Sequence, residues 1–154
     1  MHTEIFIGGQ WRRGQGEQFR SHNPATGVKV WEGHAASPDD VAEAMAEARL
    51  AFPAWSRRPV EERAAIARAY AKEIEKRAEE IAITISREMG KTLWDAKGEV
   101  QAMIGKIELS IRAQAERAGH KQEKNAFGFT VLSHHTHGVL AVFGPFNFTG
   151  HLPN

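Results

Sequence analysis

Asn147 stands between Phe146 and Phe148, just after Gly144-Pro145, and offers a side-chain NH2 with two uncharged donors. At the end of a rigid strand such a group suits a developing oxyanion, because a prepositioned dipole needs little reorganisation when charge appears. Asn beside Gly and Pro is common as a plain turn cap, and chemistry alone favours that reading over the oxyanion one. His134, His135 and His137 form the densest histidine cluster. On a strand His135 and His137 share a face while His134 points away, so at most two imidazoles could meet one ion, fewer than a zinc site needs. No metal site is expected. The chain has no cysteine, which excludes disulfides, thiolate metal centres and a cysteine nucleophile within it. Gly-x-Ser-x-Gly, Walker and Gly-x-Gly-x-x-Gly motifs are also missing.

The element that must position Asn147 is the apolar run 139–143 (VLAVF), bounded by Gly138 and Gly144-Pro145. A continuous Val/Leu/Ala/Phe run of this length predicts a strand buried on both faces, as in a parallel sheet. The loop after it lies where open α/β sheets bind ligands, beyond the carboxyl end of a strand. Upstream, 127–137 predicts another strand from its aromatic and β-branched first half, and the polar stretch 120–126 reads as a loop.

The rest of the chain is mostly helical. Ile5, Ile7 and Trp11 around Gly8-Gly9 predict a short hairpin, and 28–32 a further strand after the Asn23-Pro24 and Thr26-Gly27 turn signals. Ser37-Pro38-Asp39-Asp40 opens a helix, with Ser as N-cap, Pro at the first position and carboxylates in the first turn. Val41, Ala44, Met45, Ala48, Phe52 and Trp55 share a face of it, and Pro53 is expected to end or kink it. Pro59 opens the next helical stretch, which carries one break near Lys76 and stops at Gly90. A last helix runs from about Leu93 to about Arg117, with Val100, Met103, Ile104, Ile107, Ile111 and Ala115 as its apolar face. Phe52, Trp55 and Trp94 read as packing residues. Glu73 and Arg77 read as a surface i,i+4 pair, and Lys91 as a cation beside the end of a helix dipole.

A formal charge of +1 on 154 residues gives no electrostatic footprint for nucleic acid or an anionic membrane. No stretch approaches about 18 consecutive apolar residues, and the start, 1–10, is strand-like rather than a signal peptide. A cytoplasmic location is expected by default. A chain of this length can bury a core of its own, covering roughly 68–70% of its unfolded surface.

The segment GPFNFTGHLPN resembles the Pro-aromatic-Asn-Phe-Pro motif of the aldehyde dehydrogenase superfamily, and its Gly-His-Leu-Pro-Asn continuation is most similar to the branch acting on succinylglutamate semialdehyde in arginine catabolism. IFIGGQW (5–11), NPATG (23–27), AFPAW (51–55), PVEER (59–63) and REMGKT (87–92) follow in the order that family shows. The resemblance implies an α/β fold, the amino-terminal portion of the aldehyde dehydrogenase fold: hairpin, three to four helices, a bridging strand and the first strand of a Rossmann-like coenzyme sheet, with the catalytic domain absent. It divides the chain into a hairpin and helical layer at 1–125, a bridging strand at 126–137, and the first coenzyme-sheet strand with its oxyanion loop at 138–154.

In that family a cysteine thiolate attacks the aldehyde, the adduct passes hydride to NAD or NADP, and a glutamate activates water. The resemblance assigns Asn147 to the oxyanion and Gly144, Pro145 and Phe146 to the nicotinamide end of the NAD site. It also implies a homo-oligomer in the complete enzyme, with 130–137 contributing to a sheet between subunits, and a fragment inactive by itself. The alternative is a non-catalytic helical remnant that binds a partner. Thr149 stands where the family pattern has proline, so the loop lacks one fixed φ.

Overall fold

The computed structural model describes residues 3–154; Met1 and His2, which begin the strand-like start, lie outside them. The order is β1 (Ile5–Ile7), β2 (Gln10–Arg12), β3 (Gln18–His22), β4 (Lys29–His34), α1 (Pro38–Ser56), α2 (Val60–Lys76), α3 (Ala78–Met89), α4 (Leu93–Arg117), β5 (Lys121–Asn125) and β6 (Gly128–Leu132). The strands form three separate antiparallel pairs, β1 with β2, β3 with β4 and β5 with β6. It is a small α/β structure of four helices and short strands.

The N-terminus of α1 is built as its sequence predicts. The Ser37 side chain accepts from the Asp40 amide, the Asp40 carboxylate accepts from the Ser37 amide, and Pro38 opens the helix. Asp40 is 1% exposed, and it also accepts from the Gln15 amide at 2.8 Å and lies 3.4 Å from the Arg12 guanidinium. Those backbone donors, from Ser37 first and Gln15 next, hold its carboxyl below the usual carboxylate range despite burial. One carboxylate thus caps the helix and ties it to the β2–β3 connection.

The core lies between α3 and α4, with one residue from α2: Ile74, Ala82, Ile85, Ala96, Val100 and Met103. Gly90 ends α3 in the left-handed region at φ 70°, as a helix stop requires. A Cβ there would stand 2.5 Å from Pro24 Cγ, so the Asn23-to-Val28 turn also relies on that glycine. The expected break falls at Arg77, between α2 and α3.

Several expectations are corrected. Residues 139–143 form no strand: they run without a ladder partner, with Leu140 81%, Val142 55% and Phe143 93% exposed. A parallel strand needs neighbours delivered by crossovers, and the described residues supply none. The stretch 120–126 is not a loop, because β5 occupies most of it and pairs with β6 in the register Lys121 to Leu132. β6 stops at Leu132, so the three histidines lie beyond the strand. β3, unexpected from sequence, pairs with β4. Pro53 does not end α1, which continues to Ser56. Pro53 and Arg49 are both exposed, so water can take the carbonyl that Pro53 leaves free. Trp94 is 77% and Trp55 43% exposed, so neither is a core residue. Glu73 pairs with Lys76, and Arg77, standing at the break between helices, pairs with Glu80.

Candidate functional site

After the unpaired stretch 138–145, Phe146 and Asn147 make a turn and 149–153 make another. Asn147 is exposed, and among the described residues its side-chain amide has no hydrogen-bond partner. Its backbone is not free. The Asn147 carbonyl accepts from Lys91 Nζ at 2.9 Å, and the same ammonium lies 4.8 Å from the centre of the Phe148 ring, within range of a cation–π contact.

Lys91 is in turn held by α4. Its Nζ donates to Glu99 Oε2 at 2.8 Å, and Asp95 lies 3.7 Å away. The Glu99 side chain is 1% exposed. Its other oxygen, Oε1, accepts from the amides of Gly150 at 2.9 Å and His151 at 3.3 Å. Burial works against the Glu99 charge, but the Lys91 ammonium and the two backbone amides outweigh it and hold the carboxyl below its ordinary range. The terminal segment continues along the same helix. Lys106 Nζ donates to the carbonyls of His151 and Leu152 at 3.2 and 3.4 Å, and Asn154 Nδ2 donates to the Met103 carbonyl at 2.9 Å. Residues 99, 103 and 106 are successive turns of one helical stripe, so the segment after Asn147 lies strapped along α4.

Of the positions expected for a coenzyme, Gly144 packs on Pro153, where an added Cβ would come within 2.9 Å of Cγ. Phe146 is 82% exposed. Pro145 between them is half-buried. His134, His135 and His137 are exposed, and among the described residues no group of three or more His, Cys, Asp or Glu is placed to hold a metal ion.

The sequence profile of the Aldehyde dehydrogenase family matches residues 11–154. The chain belongs to that family. It is 52% identical over 152 residues to an N-succinylglutamate 5-semialdehyde dehydrogenase of Paraburkholderia xenovorans, covering 99% of this chain and 31% of the relative. It is 53% identical over 150 residues to N-succinylglutamate 5-semialdehyde dehydrogenase 2 of Caulobacter vibrioides, covering 97% and 31%. Among solved structures, an NADP-dependent glyceraldehyde-3-phosphate dehydrogenase from Bacillus halodurans in complex with NADP superposes with a TM-score of 0.90 at 27% identity, over 99% of this chain and 34% of that one. The chain therefore spans about a third of the length of the relatives it matches, and its fold is the amino-terminal part of the aldehyde dehydrogenase fold.

Asn147 lies in a turn, as expected of a loop, while 139–143, expected to present it as a strand, form none. Lys91 does not serve the α3 dipole alone; it reaches the Asn147 loop. Glu99 was not singled out from the sequence, although a signal existed: it is a carboxylate set among Ala96, Val100 and Met103 on the apolar face of α4. No helix is long and apolar enough to cross a membrane among the described residues.

Proposed function

We propose that this chain is the amino-terminal portion of an NAD-dependent aldehyde dehydrogenase, NADP being the alternative coenzyme, that oxidises succinylglutamate semialdehyde to the acid in the cytoplasm. The observation that carries the reading is Asn147: an uncharged double donor in an exposed turn whose backbone is anchored to α4. In the working enzyme its NH2 group donates to the oxygen of the thiohemiacetal as that oxygen gains charge, a contact made before the transition state and needing little rearrangement. Gly144, Pro145 and Phe146 line the nicotinamide end, where the coenzyme supplies a hydride acceptor. Residues 1–125 form the helical layer behind that wall, 126–137 the bridging segment and 138–154 the strand and oxyanion loop. The succinylglutamate assignment is supported by relatives of that name at 52–53% identity.

With no cysteine in the chain, the nucleophile comes from outside these residues, and the 154-residue polypeptide produces no NADH from aldehyde. A homo-oligomer is supported by hairpin β5–β6, every strand residue of which is exposed and so open to edge pairing with another subunit. The test is Asn147→Ala in the complete enzyme carrying this segment. Loss of one oxyanion donor is expected to lower kcat about 10²–10³-fold, with the succinylglutamate aldehyde preferred over shorter semialdehydes in kcat/KM. A variant within about threefold of the parent in kcat would remove Asn147 from the oxyanion site.

A further inference from the structure

We propose that Lys91 and Glu99 act together as a positioning clamp for the oxyanion loop, gripping its backbone on either side of Thr149. The kinetic part rests on the function proposed above; the structural part does not. Lys91 holds the carbonyl of Asn147 at 2.9 Å, and Glu99 holds the amides of Gly150 and His151 at 2.9 and 3.3 Å. The two grips share one ion pair at 2.8 Å, so neither end can shift without disturbing the other.

Three features separate this from an ordinary structural salt bridge. A buried ion pair is a poor choice for stability alone, since well-packed apolar residues of similar volume often do as well or better. Here the carboxylate sits among Ala96, Val100 and Met103, where an apolar side chain would pack. Next, the partners of Glu99 Oε1 are main-chain amides, so the loop is located whatever its side chains are. Finally, the grip brackets Thr149, which occupies the position where the related motif carries proline. A proline limits a loop by fixing φ; the clamp limits it by fixing the carbonyl before and the amide after. Gly150 packs closely in the clamp, since a Cβ there would stand 2.6 Å from Met103 Sδ and require that side chain to move.

Lys91 and Glu99 are positioning residues, since they touch Asn147 only through its main chain or its neighbours. Amide hydrogen exchange on the 154-residue chain tests the grip. In Glu99→Ala, Gly150 and His151 are expected to exchange about tenfold faster or more, as loss of hydrogen bonds to a charged acceptor implies, while Ala82 and Val100 keep their protection. Glu99→Gln retains an accepting oxygen and is expected to restore most of the protection. Should Glu99→Ala expose Ala82 and Val100 as well, Lys91→Met carries the test: it leaves the carboxylate in place and should shift the Asn147 carbonyl carbon resonance while the helical core stays protected. Unchanged exchange at Gly150 and His151 in a folded Glu99→Ala chain, or an unmoved Asn147 carbonyl in Lys91→Met, would overturn the clamp.

In the complete enzyme, a loop displaced by about 1 Å can cost about 10²-fold. Glu99→Ala is therefore expected to lower kcat about 10- to 100-fold with KM within about twofold, and Glu99→Gln to recover most of it. If Asn147→Ala lowers kcat but a folded Glu99→Ala does not, the clamp has no catalytic role. If Asn147→Ala leaves kcat intact while the exchange result holds, the clamp stands and the oxyanion assignment falls.

Discussion

The interface between α3 and α4 and the stretch 138–146 are both rich in apolar residues, yet Val100 is 1% exposed and Phe143 is 93% exposed. The difference lies in where each finds partners. A helix satisfies its own backbone and needs only a neighbour for its apolar stripe; α3 and α4 are joined by the short connection Gly90-Lys91-Thr92, so that neighbour is at hand. A strand of the buried parallel type needs other strands for its N–H and C=O groups and helices for both faces. Among the described residues no strand pairs with 139–143; α1 borders only Val139 and Leu140, and Leu140, Val142 and Phe143 stay exposed. Helix α1 is an intermediate case, fastened to β2 and the β2–β3 connection by Asp40, Arg12 and Glu43 while Val41, Leu50 and Trp55 remain exposed.

That contrast can be broken at graded points. Ile85→Ala, in the packed interface, is expected to destabilise the helical layer by about 2–5 kcal/mol, read as a lower urea midpoint by circular dichroism. A loss well under about 1 kcal/mol would mean the α3–α4 interface repacks freely rather than holding one arrangement. Ser37→Ala removes the cap of α1 and is expected to cost about 1 kcal/mol, seen as faster amide exchange in the first turn of α1 with α3 and α4 unaffected. Phe143→Ser, in the unpaired stretch, should change the unfolding free energy from urea titration by less than about 0.5 kcal/mol. The same substitution is expected to lower self-association in sedimentation velocity, because it removes apolar surface that two chains could bury together. A large loss of stability in Phe143→Ser would show that 138–146 packs in solution.

What was legible in the sequence follows the same division. The Ser37 cap, the break at Arg77, the stop at Gly90 and the limits of α4 are local signals and could be read directly. β5 (KQEKN) could not, because a hairpin exposed on every residue leaves no apolar alternation to betray it. β3 (QFRSH) is similarly short and mostly exposed. The stretch 139–143 was misread for the opposite reason, since its composition describes a strand inside a sheet that the described residues do not build. For the candidate site, the sequence points to Asn147 through its neighbours and through family resemblance. Its anchors were not: Lys91 is 56 and Glu99 is 51 residues from the groups they hold. A contact at that separation leaves no trace in local spacing.

Those separations also set an order of events during synthesis. At ~5–20 residues per second, the 51 positions between Glu99 and Gly150 take roughly 3–10 s to add, far longer than helix formation on the sub-microsecond to microsecond scale. Helices α3 and α4 therefore have time to pair while Gly150 is still unmade. Lys91, already on the chain eight residues ahead of Glu99, neutralises the carboxylate throughout that interval. The newborn protein thus carries a charged but quiet receiver, and the loop bearing Asn147 meets a surface already prepared for it.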